Sequence, residues 1–234
     1  MTKSDTTTDT SSGSYSFTET HDWFSRHIPS WEKLFPRVTS CPPRALEIGS
    51  WEGRSAVYTL NNLCAKGGSI VCIDYFDALT TEHGRAHHDK LVHNLRVTGK
   101  PHRVMVDCST PALMQLLEET ALAADDESER VYDWIYVDGS HEAANTFLDA
   151  ELAWRMARKG AIMVFDDYRW KRKDSDSPHH PRRGIDAFMM LRKGEYEILV
   201  GAEDEDYQMV LRKTSDMDIG FMFKGQPGKA VIVD

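Results

Sequence analysis

Four polar side chains stand out by type and spacing. Asp138 and His141 lie in the run Asp138-Gly139-Ser140-His141, which follows the apolar stretch Trp134 to Val137. Asp166 and Asp167 follow a second apolar stretch, Ala161 to Phe165. Three carboxylates with no thiolate beside them are hard oxygen donors, suited to Mg²⁺ and also to Mn²⁺ or Ca²⁺. Adjacent acids at a water-poor rim repel each other, and a cation or a retained proton relieves that repulsion. An imidazole whose ordinary pKa is ~6.5 can accept the proton of a hydroxyl group. A plainer reading stays open, in which Asp138 and Asp166 cap helices and His141 is a surface residue.

These groups need elements to bring them together. Between the two apolar stretches Ala144, Leu148, Leu152 and Met156 recur every four residues with Phe147 alongside, which predicts a helix with that face buried. Lys159-Gly160 reads as its basic last turn and glycine stop. A strand–helix–strand crossover makes the two strands parallel neighbours. Ligands of open parallel sheets sit outside the carboxyl ends of the strands. All four groups should therefore meet at one rim.

Upstream, Leu46 to Ile48 reads as a short strand, Gly49 and Gly53 bracket a turn, and Ser55 onward reads as a helix. Strand, glycine turn and helix start form a cradle that backbone can bring close to a ligand. The spacing is Glu-x-Gly-x-x-x-Gly, which disfavours a pyrophosphate-binding dinucleotide fold and an NAD-linked oxidoreductase. Asp74 ends the next apolar strand, where doubly wound folds place an acid for ribose hydroxyls. Asp107-Cys108-Ser109 end a third strand, Arg103 to Val106, at the same rim, where an adenine could sit. Thr110-Pro111 reads as the cap and first position of the following helix.

Residues 1–20 are mostly Ser, Thr and Asp and read as a disordered leader. Residues 21–40, capped by Asp22 and interrupted by Pro29, read as a helix on the domain edge or as an aromatic lid. His83, His87 and His88 are placed on an exposed loop, with poor spacing for a metal. Arg169 to Arg183 carries six Lys/Arg against two Asp and hints at an anionic acceptor, with simple solvation as the alternative. Glu197 to Val200 and Gln208 to Leu211 read as an antiparallel pair joined by an acidic turn. The formal charge of -9 argues against nucleic acid as a partner. No stretch reaches the ~20 apolar residues of a membrane span, so no membrane partner is expected. Four cysteines without CxxC spacing disfavour zinc and disulfides and suggest a cytoplasmic protein.

Taken together, LEIGSWEGRS, the acid at Asp74 and the VDGSH…FDDY unit resemble class I S-adenosylmethionine-dependent methyltransferases. The resemblance is greatest to the macrocin-type sugar O-methyltransferases and more remote to catechol O-methyltransferase. It runs from about Trp23 to about Lys213. It implies an α/β, Rossmann-like, doubly wound seven-stranded sheet of order 3-2-1-4-5-7-6, the last strand antiparallel, with helices on both faces. The domain would then cover 21–213, leaving 214–234 as an unassigned extension.

For the cofactor S-adenosylmethionine, the resemblance implies a methionine and ribose end at Glu47, Gly49, Ser50 and Gly53, with Ser55 opening the helix behind. It implies Asp74 on the ribose diol and Asp107, Cys108 and Ser109 around the adenine. Asp138, Asp166 and Asp167 match metal positions, with Mg²⁺ expected. His141 matches the general base of the sugar enzymes, and Asp138 sits where cofactor, metal and acceptor meet. The catechol enzymes differ, having an amide at Asp167 and a lysine base. The expected activity is metal-assisted O-methyl transfer to a small hydroxyl-bearing acceptor, sugar-like or phenolic. An accessory domain that binds the cofactor without transfer is the alternative. Whether the protein forms a homo-oligomer is left open.

Overall fold

The computed structural model describes residues 13–122, 131–201, 203 and 207–216. Among the described residues there are seven strands: β1 (Arg44–Ile48), β2 (Ser69–Asp74), β3 (His102–Val106), β4 (Tyr132–Val137), β5 (Ala157–Phe165), β6 (Tyr196–Val200) and β7 (Met209–Lys213). Six α-helices accompany them: α1 (Ile28–Leu34), α2 (Arg54–Asn62), α3 (Glu82–Val97), α4 (Ser109–Leu122), α5 (Ala143–Arg155) and α6 (Pro181–Leu191). The strand order is β3-β2-β1-β4-β5-β7-β6, as expected. β7 runs antiparallel to both β5 and β6, and the other pairings are parallel.

The pleat sends alternate residues to opposite faces. Leu46, Ile48, Ile135, Val137, Met163 and Phe165 face a core closed by α4, α5 and α6. Ala45, Cys72, Trp134, Tyr136, Ile162 and Val164 face a second core closed by α1, α2 and α3. β4 is buried along its whole length, which is why Trp134 to Val137 reads as an apolar run, and its one charged residue, Asp133, accepts hydrogen bonds from Ser40 and Arg44. Parallel pairing aims the ends of β1, β2, β4 and β5 at one rim. That rim holds the site.

Several expectations change. α5 buries Ala143, Thr146, Asp149, Ala150, Ala153 and Trp154, while Ala144 and Leu148 are exposed. Phe147, Leu152 and Met156 of the expected face do pack against the core, while Ala143, Ala150 and Ala153 are buried where α5 is wedged between α4 and α6; a Cβ on Gly184 of α6 would lie 2.1 Å from the Ala143 carbonyl oxygen. α5 also ends at Arg155, a turn before Lys159-Gly160. Gly160, at φ 88°, belongs to β5, where the register with β4 jumps from Tyr132↔Ala157 to Trp134↔Ile162. α4 begins at Ser109, so Thr110 lies inside the helix and not at its cap.

The amino-terminal region also differs. Ser16 N–H donates to Asn94 Oδ1 at 2.6 Å and Thr18 N–H to Glu52 Oε2 at 2.6 Å, so 13–20 run as a hydrogen-bonded strap. Residues 1–12 of the expected leader lie outside the described residues. Pro29 does not break α1; it occupies the first turn, where no N–H is needed. Trp31 of α1 is fully buried against Trp134 and Tyr136, so the helix is part of the core. The expected extension 214–234 lies outside the described residues after 216, as does most of the acidic turn before β7. Among the described residues no helix is long and apolar enough to cross a membrane.

Candidate active site

The rim begins at β1. Gly49 has φ 84°, its N–H donates to the Ile73 carbonyl at 2.8 Å, and an added Cβ would lie 2.0 Å from the Asp138 carbonyl oxygen. The loops after β1, β2 and β4 therefore touch, and only glycine fits between them. Asp74 organises the turn. Its Oδ2 accepts N–H bonds from Ser50 (2.9 Å) and Trp51 (2.8 Å), and its Oδ1 accepts from Phe76 (3.2 Å). A carboxylate offers about four acceptor positions, so one stays open toward the cavity.

Above these loops opens a cavity of about 1040 Å³, at the upper end of the range usual for ligand sites. Gly49, Asp74, Asp107, Cys108, Ser109, Asp138, His141, Asp166 and Asp167 line it, together with Trp23, Arg26, Trp51, Trp170 and Tyr207. Glu47, Ser50, Gly53 and Ser55 stand behind the wall. Glu47 points into the second core, where Ser55 Oγ donates to its Oε1 at 3.0 Å. Gly53 caps α2 at φ 80° against the Leu91 side chain. None of these four lines the cavity, and Glu47 is held on the α2 side of the sheet by Ser55.

Burial pushes the Glu47 carboxyl up to about 8 against the opposing Ser55 hydrogen bond. A raised folded-state pKa adds stability that is complete below the ordinary 4.5 and is lost as pH climbs through 8. Glu47→Gln should therefore raise the melting temperature of the ligand-free protein at about pH 9 and change it little at about pH 5. Thermal melts at the two pH values check this; an equal shift at both would reject it.

The acids cluster as expected. One oxygen from each of Asp138, Asp166 and Asp167 falls within 4.8 Å of the others. Burial, then the charges of Asp166 and Asp167, pushes Asp138 well above the usual carboxylate range. Burial and the Asp167 charge raise Asp166 to about 6. Burial opposes ionisation of Asp167 too, but hydrogen bonds from His141 and Tyr207 prevail and hold it low. Hard oxygen donors that repel one another suit a divalent cation. The cluster fits Mg²⁺ by that chemistry.

His141 Nε2 lies 2.6 Å from Asp167 Oδ2, and this bond raises the imidazole above its ordinary pKa. Trp170 covers the ring, with centroids 4.5 Å apart. Sequence reading missed the support around the acids. Tyr207 donates its hydroxyl to Asp167, Gln208 Nε2 donates to Asp166 Oδ1 at 2.7 Å, and Trp31 Nε1 donates to Gln208 Oε1 at 3.0 Å. Tyr136 donates to Asp138 Oδ2 at 3.1 Å, and His27, held neutral by burial at about 4, approaches Asp166. The expected antiparallel return of β7 beside β5 carries the signal, because it sets Tyr207-Gln208 against Asp166-Asp167.

Fold and site together define a class I methyltransferase architecture with an acid cluster at its rim. A family model for the methyltransferase domain matches residues 46–168, just over half of the chain, and the chain belongs to that family. The chain is similar in fold to the O-methyltransferase from Bacillus cereus solved with SAH, at 18% identity and TM-score 0.57, covering 86% of this chain and 84% of that one. It is similar to the methyltransferase PaMTH1 from Podospora anserina, at 18% identity and TM-score 0.54, covering 82% and 80%. It is also similar to the O-methyltransferase TomG from Streptomyces achromogenes, at 18% identity and TM-score 0.53, covering 79% and 77%. No match was found among curated proteins.

Proposed function

We propose that the protein is an S-adenosylmethionine-dependent, divalent-metal-assisted O-methyltransferase acting on a small hydroxyl-bearing acceptor. The observation that carries this reading is the meeting of Asp138, Asp166, Asp167 and His141 on the wall of one cavity, beside the glycine cradle. Family membership supports methyl transfer, and the similar folds solved with SAH or SAM support the cofactor.

S-adenosylmethionine, when bound, supplies an electrophilic methyl group on a sulfonium. Asp138, Asp166 and Asp167 would hold a divalent cation, which would supply Lewis acidity toward an acceptor hydroxyl. Asp74 would take the ribose diol, and Asp107, Cys108 and Ser109 would flank the adenine. Asp167 fixes the His141 tautomer by accepting its Nε2–H, which leaves Nδ1 as the basic nitrogen. Nδ1 takes the hydroxyl proton as the new carbon–oxygen bond forms, a role worth about 10²–10⁴ in rate. Trp170 limits the motion of the ring, so the base is oriented before the acceptor arrives.

The test is SAH release across sugar, phenol and carboxylate acceptors, with Mg²⁺ and with a chelator. Turnover that ignores the chelator would remove the metal from the mechanism. SAH binding with no turnover of any acceptor would leave a cofactor-binding accessory module.

For the acceptor, Arg182 and Arg183 are not the relevant cations. Arg182 reaches Asp186 and Tyr168, and Arg183 reaches the Asp176 carbonyl. Lys171 and Arg172 line the cavity instead, beside Trp170. They favour an acceptor with a carboxylate. The double change Lys171→Gln, Arg172→Gln should raise KM for a carboxylate-bearing acceptor about tenfold, with KM for its neutral analogue unchanged. Equal effects on both acceptors would mark the loop as merely solvated.

A further inference from the structure

The sequence places His83 and His87 on a loop, but they occupy the first turns of α3, four residues apart and on one face. Their Nε2 atoms converge to 2.8 Å. His87 Nδ1 faces Glu52 Oε1 at 3.2 Å. Glu52 is buried and also accepts from Thr18 N–H and Oγ1 and from Lys90 Nζ. An ionised carboxylate only accepts hydrogen bonds, so His87 Nδ1 carries the proton and its Nε2 presents a bare lone pair toward His83. A carboxylate behind one ring nitrogen of a histidine is the arrangement that orients metal-binding imidazoles. The His87 ring stacks on Trp51 with centroids 3.7 Å apart, and Trp51 lines the cofactor cavity.

We propose that His83 and His87 form a second cation site, for a borderline transition-metal ion of the Zn²⁺, Ni²⁺ or Cu²⁺ class. Two imidazole nitrogens bind the ion and water completes its coordination. This donor set discriminates against Mg²⁺, which selects the carboxylate oxygens at Asp138, Asp166 and Asp167. Occupancy ties the start of α3 to the Trp51 side of the cavity. The site stands apart from the proposed methyl transfer and does not depend on it.

The experiment uses untagged full-length protein in saturating Mg²⁺, with Ni²⁺ as the calorimetric probe. One Ni²⁺ should bind per chain, and His83→Gln should weaken that site at least about tenfold. His83 is exposed, so the variant should keep the wild-type circular dichroism and melting curve in the absence of Ni²⁺. A second reading is thermal. Ni²⁺ should raise the melting temperature of the wild type and leave that of His83→Gln unmoved. Equal Ni²⁺ affinity in both proteins, or no stoichiometric binding to the wild type, would overturn the site and make the Nε2 contact an ordinary hydrogen bond.

Discussion

Replacing Asp166 and Asp167 together by alanine is expected to abolish chelator-sensitive turnover, with a loss of at least about 10³-fold. Asp167 orients His141, and general-base catalysis alone is worth about 10²–10⁴. The same change removes two of the three clustered carboxylates, so Lewis acidity at the acceptor oxygen goes with it. Cofactor affinity should stay within a few-fold, because the cradle at Gly49, Asp74 and Asp107 to Ser109 is untouched. Calorimetry with SAH and a turnover assay separate the two effects. Full activity in the double variant would sink the metal-assisted mechanism.

Stability gives an internal control for this experiment. Alanine at 166 strands the Gln208 amide, which costs about 1–3 kcal/mol. Asp166→Asn with Asp167→Asn keeps the volume. It also removes a carboxyl whose ionisation burial resists, since stability tied to the raised Asp166 pKa is lost as pH rises through about 6. Asp167→Asn acts in the opposite sense, because the depressed Asp167 pKa adds stability at neutral pH, so the asparagine pair should stay folded near neutral pH and still be inactive. An inactive but folded protein assigns the loss to chemistry.

The second large effect is expected at Gly49. Alanine there sets a methyl group 2.0 Å from the Asp138 carbonyl oxygen, on a backbone at φ 84°. The left-handed conformation alone costs a non-glycine residue about 1–2 kcal/mol, and the clash is with backbone, which cannot rotate away. The loops after β1 and β4 must part, carrying Asp138 from the acids and opening the cradle together. SAH affinity should fall at least about 100-fold, equivalent to about 2.7 kcal/mol. Gly160→Ala is the control, because its φ is similarly positive, 88°, yet a Cβ there meets nothing within 4 Å. Comparable SAH binding by the two variants would remove the close approach as the cause.

The architecture was legible because local pattern and global fold agree. The apolar run Trp134 to Val137 of β4, acids at strand ends and a glycine turn after β1 are each set by burial or by the backbone freedom of glycine. Parallel strands then bring their carboxyl ends to one rim, which is why Asp138, His141, Asp166 and Asp167 could be grouped before their distances were known. The buried face of α5 was legible in part. Met156 is buried and Phe147 and Leu152 pack against the core as periodicity predicts, whereas Ala144 and Leu148 are exposed and the fit between α4 and α6 buries Ala150 and Ala153 instead.

The sequence by itself placed three acids and a histidine at the ends of two parallel strands, since that follows from apolar patterning and residue type, while the strand order came only through the resemblance to class I methyltransferases. Only the tertiary structure decided how those groups are held. Tyr207 and Gln208 lie about forty residues from the acids they support and reach them because β7 turns back beside β5. His83 and His87 share a face only because α3 begins at Glu82. Contacts between distant segments depend on how elements pack, and packing is a property of the whole chain, which no local window of residues contains.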